Sequence, residues 1–419
     1  MTRKTCSFLL LALAAGFAAC SGSNERDGNG GGDSDSDTDT DSETEYTGPT
    51  GTIQGVVWAP SGAFPISGAL VYVTSGNAYP IPGNAYCYEC DDMTGKKWTL
   101  TGPDGSFTLE SVPAGDRNLV VRKGFFQRQR PITVVGDQVQ DIPAEFTTLP
   151  AESSGDGLDT IPNYAVLLNG YDLAQDMLAK MGLGDIDSGG NLIQGTEHFD
   201  LYNDAYSSAS AVGDSASLFA SQTTLEHYHM VFFPCICSTL TATNYTAMLQ
   251  SYVVAGGRIY ASCWASQWAE TPFPDAIEFS GDDTAYNAGD IGLWDSAGTI
   301  NDPDMRAWLG VVAPASSVDN FPFNGGWILI DSLSPGAYAG HGLDDDGGLV
   351  IPKLWVTDIS ANSGAPLTVT YNYDCGKVFY STYQVVESSP SPDIRPQEWV
   401  LIYLFFEVGV CEGEYIPPE

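Results

Sequence analysis

The chain has 419 residues, a hydrophobic content of 43% and nine tryptophans, which is apolar mass enough for real cores and too much length for one ordinary domain. Sixteen lysines and arginines stand against 53 acidic residues, a formal net charge of −37 at pH 7. A surface of that sign repels phosphate backbones and anionic headgroups, so the composition argues against a nucleic-acid partner and favours solubility and loose cation binding.

In chain order the first segment is an address rather than a fold. Arg3 and Lys4 make a charged start, and Phe8 to Phe17 is an apolar run too short to span a bilayer. It leads into Phe17-Ala18-Ala19-Cys20, small residues followed by a cysteine. This ending resembles a bacterial lipobox, which implies a signal peptide over 1–19, cleavage before Cys20 and lipidation of that residue; the alternative is a plain signal peptide cut after Ala19. Ser21 rather than Asp follows, which by analogy with lipoprotein sorting implies the outer membrane. The protein is then anchored to a membrane through lipid and does not span it. Residues 20–50 form an acidic tether: "DSDSDTDTDSETE", Asp33 to Glu45, cannot bury anything and repels itself.

Export sets the cysteine chemistry. Cys6 leaves with the signal and Cys20 carries lipid, so seven of the nine cysteines face an oxidising compartment: Cys87, Cys90, Cys235, Cys237, Cys263, Cys375 and Cys411. Seven is odd, so at least one has no partner within the chain.

Residues 51–148 read as short alternating strands broken by turns, "SGALVYVTS", "GSFTLESV" and "RNLVVRKG" among them. Val71 with Val73, and Phe107 with Leu109, keep period two, while Pro103-Asp104-Gly105 and Pro113-Ala114-Gly115 are turn signals. The stretch "PISGALVYV…TGPDGSFTLESVPAGDRNLVV" resembles a carboxypeptidase regulatory-like domain, which implies a transthyretin-like β-sandwich serving as a spacer or binding module. Within it lies "CYEC". Cys87 and Cys90 read as a small local disulfide, with a redox dithiol or half a zinc site as alternatives; zinc lacks two further ligands in this segment.

After a linker, 149–159, the rhythm changes to strand–helix–strand over 160–411, with 412–419 a tail. "NYAVLLNG" is a buried strand. "DLAQDMLAKMGLG" is a helix with Asp172 as N-cap and Gly182 as its stop. "YHMVFFPC" is a strand, "TATNYTAMLQSYVVAGG" a helix with Gly256 just past its end, and "RIYASC" a further strand. "KLWVTDI", "LTVTYNY", "GKVFYSTYQ" and the helix "RPQEWVLIYLFFEVGVC" follow. Strands apolar on both faces predict parallel βαβ packing. The expected architecture is multidomain: an N-terminal transthyretin-like β-sandwich followed by a three-layer α/β flavodoxin-like domain with a mostly parallel sheet.

In such sheets ligands sit beyond the carboxyl ends of the strands, where Cys235 and Cys237 end one strand and Cys263 the next. "ASCWA", Ala261 to Ala265, resembles the cysteine elbow of class I glutamine amidotransferase-like proteins, with alanines where that family prefers glycines. The family places a histidine after a late strand, with a glutamate two residues on; here that strand is Gly376 to Tyr383, and Gln384 follows it. An amide cannot take a proton from a thiol. His227 and His229 head the "YHMVFFPC" strand at the wrong end of the sheet, and His198 lies in a polar connection. His341, in "YAGHGLDDDGG", is the candidate substitute base. Cys263 therefore reads as a relic.

Cys375 and Cys411 are placed to staple the C-terminus, and Cys235 or Cys237 to pair with Cys263. A thiolate-bound copper or zinc at Cys235, Cys237 and Cys263, and loose calcium in "GLDDDGGL" or "SGDDTAY", are the weak cofactor alternatives to none. Trp264, Trp268 and Trp294 could make a carbohydrate-stacking platform, with core packing as the simpler reading.

Lipobox, tether, sandwich and the "PQEWVLIYLFFEVGVC" ending together are similar to the carboxypeptidase regulatory-like lipoproteins of myxobacteria, a resemblance that carries architecture but no defined activity. The reading is a cell-envelope lipoprotein acting as a non-catalytic binding or surface-organising module through the cleft at Cys235, Cys263 and Gln384. Its rivals are a thiol-dependent hydrolase or amidase using Cys263, and a periplasmic redox or metal protein.

Overall fold

Alternation decides which side chains the first part of the chain buries. The computed structural model describes residues 46–235, 240–274, 276–281, 289–334, 352–385 and 391–411. Its first eight strands are β1 (Thr50–Val56), β2 (Leu70–Thr74), β3 (Lys97–Leu100), β4 (Ser106–Pro113), β5 (Gly115–Lys123), β6 (Phe126–Val134), β7 (Val139–Asp141) and β8 (Asp159–Thr160). They form a sheet of order β4-β1-β7 and a second of order β3-β2-β5-β6-β8. On β4, Phe107 and Leu109 are buried while Ser106, Thr108 and Glu110 are exposed. Gly105 closes the turn before β4 with φ 73°, a left-handed position that suits glycine.

β2 breaks the alternation. Val71 and Val73 face the main core, while Leu70 and Tyr72 pack with Met93 and Val120 on the opposite face. The covering residues come from the connection between β2 and β3, the segment that carries Cys87 and Cys90.

The later strands are β9 (Tyr164–Leu168), β10 (Asp200–Asn203), β11 (Gly213–Asp214), β12 (Met230–Phe233), β13 (Arg258–Ser262), β14 (Ile277–Phe279), β15 (Asp290–Ile300), β16 (Phe321–Ile328), β17 (Ile330–Leu333), β18 (Lys353–Asp358), β19 (Pro366–Tyr373) and β20 (Gly376–Ser381). Ten of them make one sheet, β11-β10-β9-β12-β13-β20-β19-β18-β15-β16, while β14 and β17 pair apart. From β11 to β20 every pairing is parallel; from β20 to β16 every pairing is antiparallel.

This corrects the expected flavodoxin-like fold with a mostly parallel sheet. Among the described residues strand outweighs helix, 37% against 20%, and the sheet is mixed. The cause is visible at the β19–β20 link. Only Asp374 and Cys375 separate the two strands, with Asp374 at φ 54°. Two residues make a hairpin, whereas a parallel return needs a crossover of about a dozen residues or more.

Within the parallel half, alternate residues serve two cores. Val166, Leu168, Phe232, Tyr260 and Phe379 face one side. Ala165, Leu167, Val231, Phe233, Ile259 and Tyr380 face the other, under the helices Thr246–Val254 and Ser266–Glu270. On the first side lies the helix Pro396–Glu407, whose residues Val400 to Phe406 are all buried. A helix apolar all round is one that is packed all round. Phe405 meets Phe232 at 4.9 Å and Tyr260 at 5.1 Å, while Phe406 meets Phe126 of the sandwich at 5.1 Å. Sandwich and mixed sheet thus share a core, and Tyr46–Glu419 form one compact unit.

Disulfides add covalent ties. Cys87 pairs with Cys375 and Cys90 with Cys411, at Cα separations of 4.9 and 4.8 Å. The local Cys87–Cys90 staple and the Cys375–Cys411 staple are both corrected. Each member of "CYEC" reaches a different element of the later chain, because the β2–β3 connection lies against the β19–β20 turn and the end of the last helix.

Candidate functional site

β12 and β13 are neighbours in register, Met230 opposite Arg258 through Phe233 opposite Ala261. Two positions further on, the same register sets Cys235 opposite Cys263, and the two are joined by a disulfide with Cα atoms 4.7 Å apart, the spacing of adjacent strands. Cys263 is fully buried and Cys235 nearly so. Cys263 has φ 49°, a left-handed conformation for a residue with a Cβ, and it opens a short helical turn over Cys263–Ala265. The Tyr380 hydroxyl donates to the Cys263 carbonyl at 2.7 Å. The shape is that of a cysteine elbow, and Ala261 and Ala265 are small enough to be wholly buried on either side of it.

Gln384 comes to this site. Its Nε2 donates to Cys235 Sγ at 3.2 Å and lies 4.0 Å from Cys263 Sγ. The residue is braced from both sides: its carbonyl accepts from Gln397 Nε2 at 2.6 Å, and its N–H donates to the Gly325 carbonyl at 3.4 Å.

Beneath the sulfurs is a polar network that sequence reading missed. Ser262 Oγ donates to Asp172 Oδ2 at 2.5 Å and accepts from the Cys235 N–H at 2.8 Å. Asp172 Oδ1 accepts from the Val385 N–H at 2.7 Å, and Asn169 Nδ2 donates to the Pro234 carbonyl at 2.6 Å. Asn169, Asp172 and Ser262 are all fully buried. Asp172 was expected as the helix N-cap; Leu173 holds that position, and the carboxylate turns inward to tie β9, β13 and the end of β20 together. The available signal was Asn169-Gly170 directly after a buried strand, a turn in which Asn169 Oδ1 accepts the N–H groups of Tyr171 and Asp172.

Cys237 and His341 lie outside the described residues, as do residues 282–286 of "SGDDTAY" and all of "GLDDDGGL". His229 sits at the amino end of β12, at the opposite edge of the sheet. Its Nδ1 accepts from the Asn163 N–H at 2.9 Å and its Nε2 lies 2.8 Å from the Pro82 carbonyl, so the imidazole is neutral with its proton on Nε2. Burial pushes its pKa down to about 4. His198 and His227 border a polar hollow at that same edge. Trp268 is wholly buried against Phe233, 4.3 Å between rings, and so belongs to the core, while Trp264 packs edge-on to Trp327. Among the described residues, no group of three His, Cys, Asp or Glu is placed to hold a metal, and no helix is long and apolar enough to cross a membrane.

No protein-family model and no curated protein matches the chain. Among solved structures, a cytoplasmic protein from Salmonella typhimurium is similar at 14% identity with a TM-score of 0.33, over 59% of this chain and 98% of that one. A putative carbohydrate-binding protein from Bacteroides uniformis aligns at 13% identity and TM-score 0.16, over 23% of this chain and 41% of that one. A cold-adapted β-galactosidase from Rahnella sp. R3 aligns at 11% identity and TM-score 0.31, over 60% of this chain and 32% of that one. The chain thus spans less than half of the latter two, and likenesses at these scores carry no argument about fold or function.

Proposed function

We propose that the protein is a cell-envelope lipoprotein whose folded part is a non-catalytic binding or surface-organising module, and that its cysteine elbow is a sealed remnant. The observation that carries this reading is the buried Cys235–Cys263 disulfide with the Gln384 amide set against it. A sulfur in a disulfide is no thiolate, and an amide is no base, so among the described residues neither group that thiol catalysis requires stands at the elbow. Attachment through a lipid on Cys20, and the outer membrane as destination, rest on the 1–19 signal and on Ser21. Three disulfides are compatible with an extracytoplasmic compartment.

The test is thiol mapping. The mature protein is purified without reductant, alkylated at several pH values and digested for mass spectrometry. Cys263 is expected to stay unlabelled until the protein is both denatured and reduced. Rapid labelling at or below neutral pH would instead mark a stabilised thiolate and put the hydrolase reading first, with His341→Ala as the next variant.

A further inference from the structure

Beside the disulfide site, at the carboxyl ends of β9 and β10, lies a separate cavity of about 310 Å³. That volume is at the small end of ligand pockets. Leu173 and Leu201 contribute apolar walls, Gln175 and Asp176 contribute buried polar groups, and Tyr206 stands at the rim with 51% of its surface exposed. Gln175 is 7% exposed, and its Oε1 has no hydrogen-bond partner among the described residues. That oxygen is sealed from solvent, so the polar group of the cavity with an open acceptor is the neighbouring carboxylate. Asp176 is 5% exposed; its Oδ1 accepts from the Leu192 N–H at 2.9 Å, and its Oδ2 receives no hydrogen bond from the described residues.

Among the described residues, no lysine, arginine or histidine lines this cavity. The charged groups that act on Asp176 from neighbouring elements are Lys180, Asp187 and Glu398, one positive against two negative, and Lys180 is itself paired with Glu398 at 2.7 Å. Burial accordingly holds the Asp176 carboxyl up, to about 6. In a chain of net charge −37 the long-range field adds to the same preference for a cation.

We propose that this cavity binds a small molecule through a primary ammonium group, which donates to Asp176 Oδ2. An ammonium brings three N–H donors and the charge that offsets a desolvated carboxylate. A neutral polyol leaves that charge uncompensated. Tyr206 offers an aromatic face at the entrance, favourable to a passing cation. The inference goes beyond the reading of Cys263 and holds whether or not that residue is catalytic.

The experiment is titration of the full chain with n-propylammonium, followed by calorimetry or NMR, with propan-1-ol as the neutral match and glucose as the polyol. Saturable one-site binding of the amine alone is expected. It weakens tenfold or more in Asp176→Asn and a few-fold in Tyr206→Ala, and it weakens in the native chain as pH falls from 7 to 5. Asp176→Asn keeps the acceptor for Leu192; should it nonetheless fail to fold, the exposed Tyr206→Ala variant and the pH profile carry the test. Equal binding of propan-1-ol or glucose, binding unchanged in a folded Asp176→Asn, or no saturable binding to a natively folded chain would each overturn the proposal.

Discussion

The two ends of the parallel strands are both closed by disulfides, and for different reasons. At the amino end, Cys87–Cys375 and Cys90–Cys411 join partners 288 and 321 residues apart, and they fasten the sandwich's β2–β3 connection onto the sheet. Around them His229 lies against Phe125, 4.5 Å between rings, and the Arg258 guanidinium covers the other aromatic approach at 4.7 Å. At the carboxyl end, Cys235–Cys263 spans only 28 residues, joins two strands already held in register, and sits where a sheet of this kind presents its chemistry. The first pair holds parts together. The second ties strands that hydrogen bonds already hold in register, and it closes a much shorter loop.

The largest expected effect breaks the amino end. In the chain-entropy view, a crosslink across 288 residues constrains the unfolded chain by about 2 kcal/mol more than one across 28. Replacing Cys87, Cys90, Cys375 and Cys411 with alanine should remove most of the stability of a fold worth about 5–15 kcal/mol. Cys235→Ala with Cys263→Ala should leave a folded protein, with a clearly smaller drop in urea midpoint than the four-cysteine variant. Were the second variant the one that fails to fold, the carboxyl-end disulfide would be the principal staple and the sealed-remnant account would lose its footing.

Next in size is Asp172→Ala. It strands the Ser262 hydroxyl and the Val385 N–H in a fully buried site, at a cost of about 2–5 kcal/mol. Urea unfolding reads the loss, and amide exchange at Val385 should rise more than exchange at β12. Uniform exchange across both would mean that the network does not specifically fix the end of β20.

How much of this was legible follows the range of each signal. Local periodicity placed β9, β12, β13 and the terminal helix, and Gly256 does lie just past its helix with φ 97°, where a Cβ would meet the Tyr86 carbonyl. Adjacent parallel strands brought Cys235 to Cys263, and counting past a late strand brought Gln384 to both. The failures came from relations that periodicity does not carry. "YNYDCGKVF" has two residues between strands and so demands a hairpin, but an expectation of βαβ units overrode that count. The partners of Cys87 and Cys90 depend on where the β2–β3 connection packs, which spacing within "CYEC" cannot reveal. Asp172 looked like a cap because a helix follows it; burial, invisible in a single sequence, gave it a different partner.

The smallest effect sharpens the contrast by titrating its two ends in opposite senses. His229, at the amino end, has its pKa lowered by burial from 6.5 to about 4. Between those values the unfolded chain binds the proton and the folded one does not. Its contribution is therefore present above pH 6.5 and is lost as pH falls toward 4, up to about 3 kcal/mol in all. Asp176, at the carboxyl end, has its pKa raised by burial from 3.8 to about 6. There the folded chain holds the proton more tightly, so its contribution is present below pH 3.8 and is lost as pH rises through 6, by a similar amount. The stability of the native chain relative to His229→Gln should thus rise with pH from 4 to 6.5, while that relative to Asp176→Asn should fall over 4 to 6. Chemical denaturation at half-unit pH steps checks both slopes. Slopes of the same sign would mean that the carboxylate at the carboxyl end is paired with a cation even without ligand, and that the cavity beside β9 and β10 has no charge left to offer.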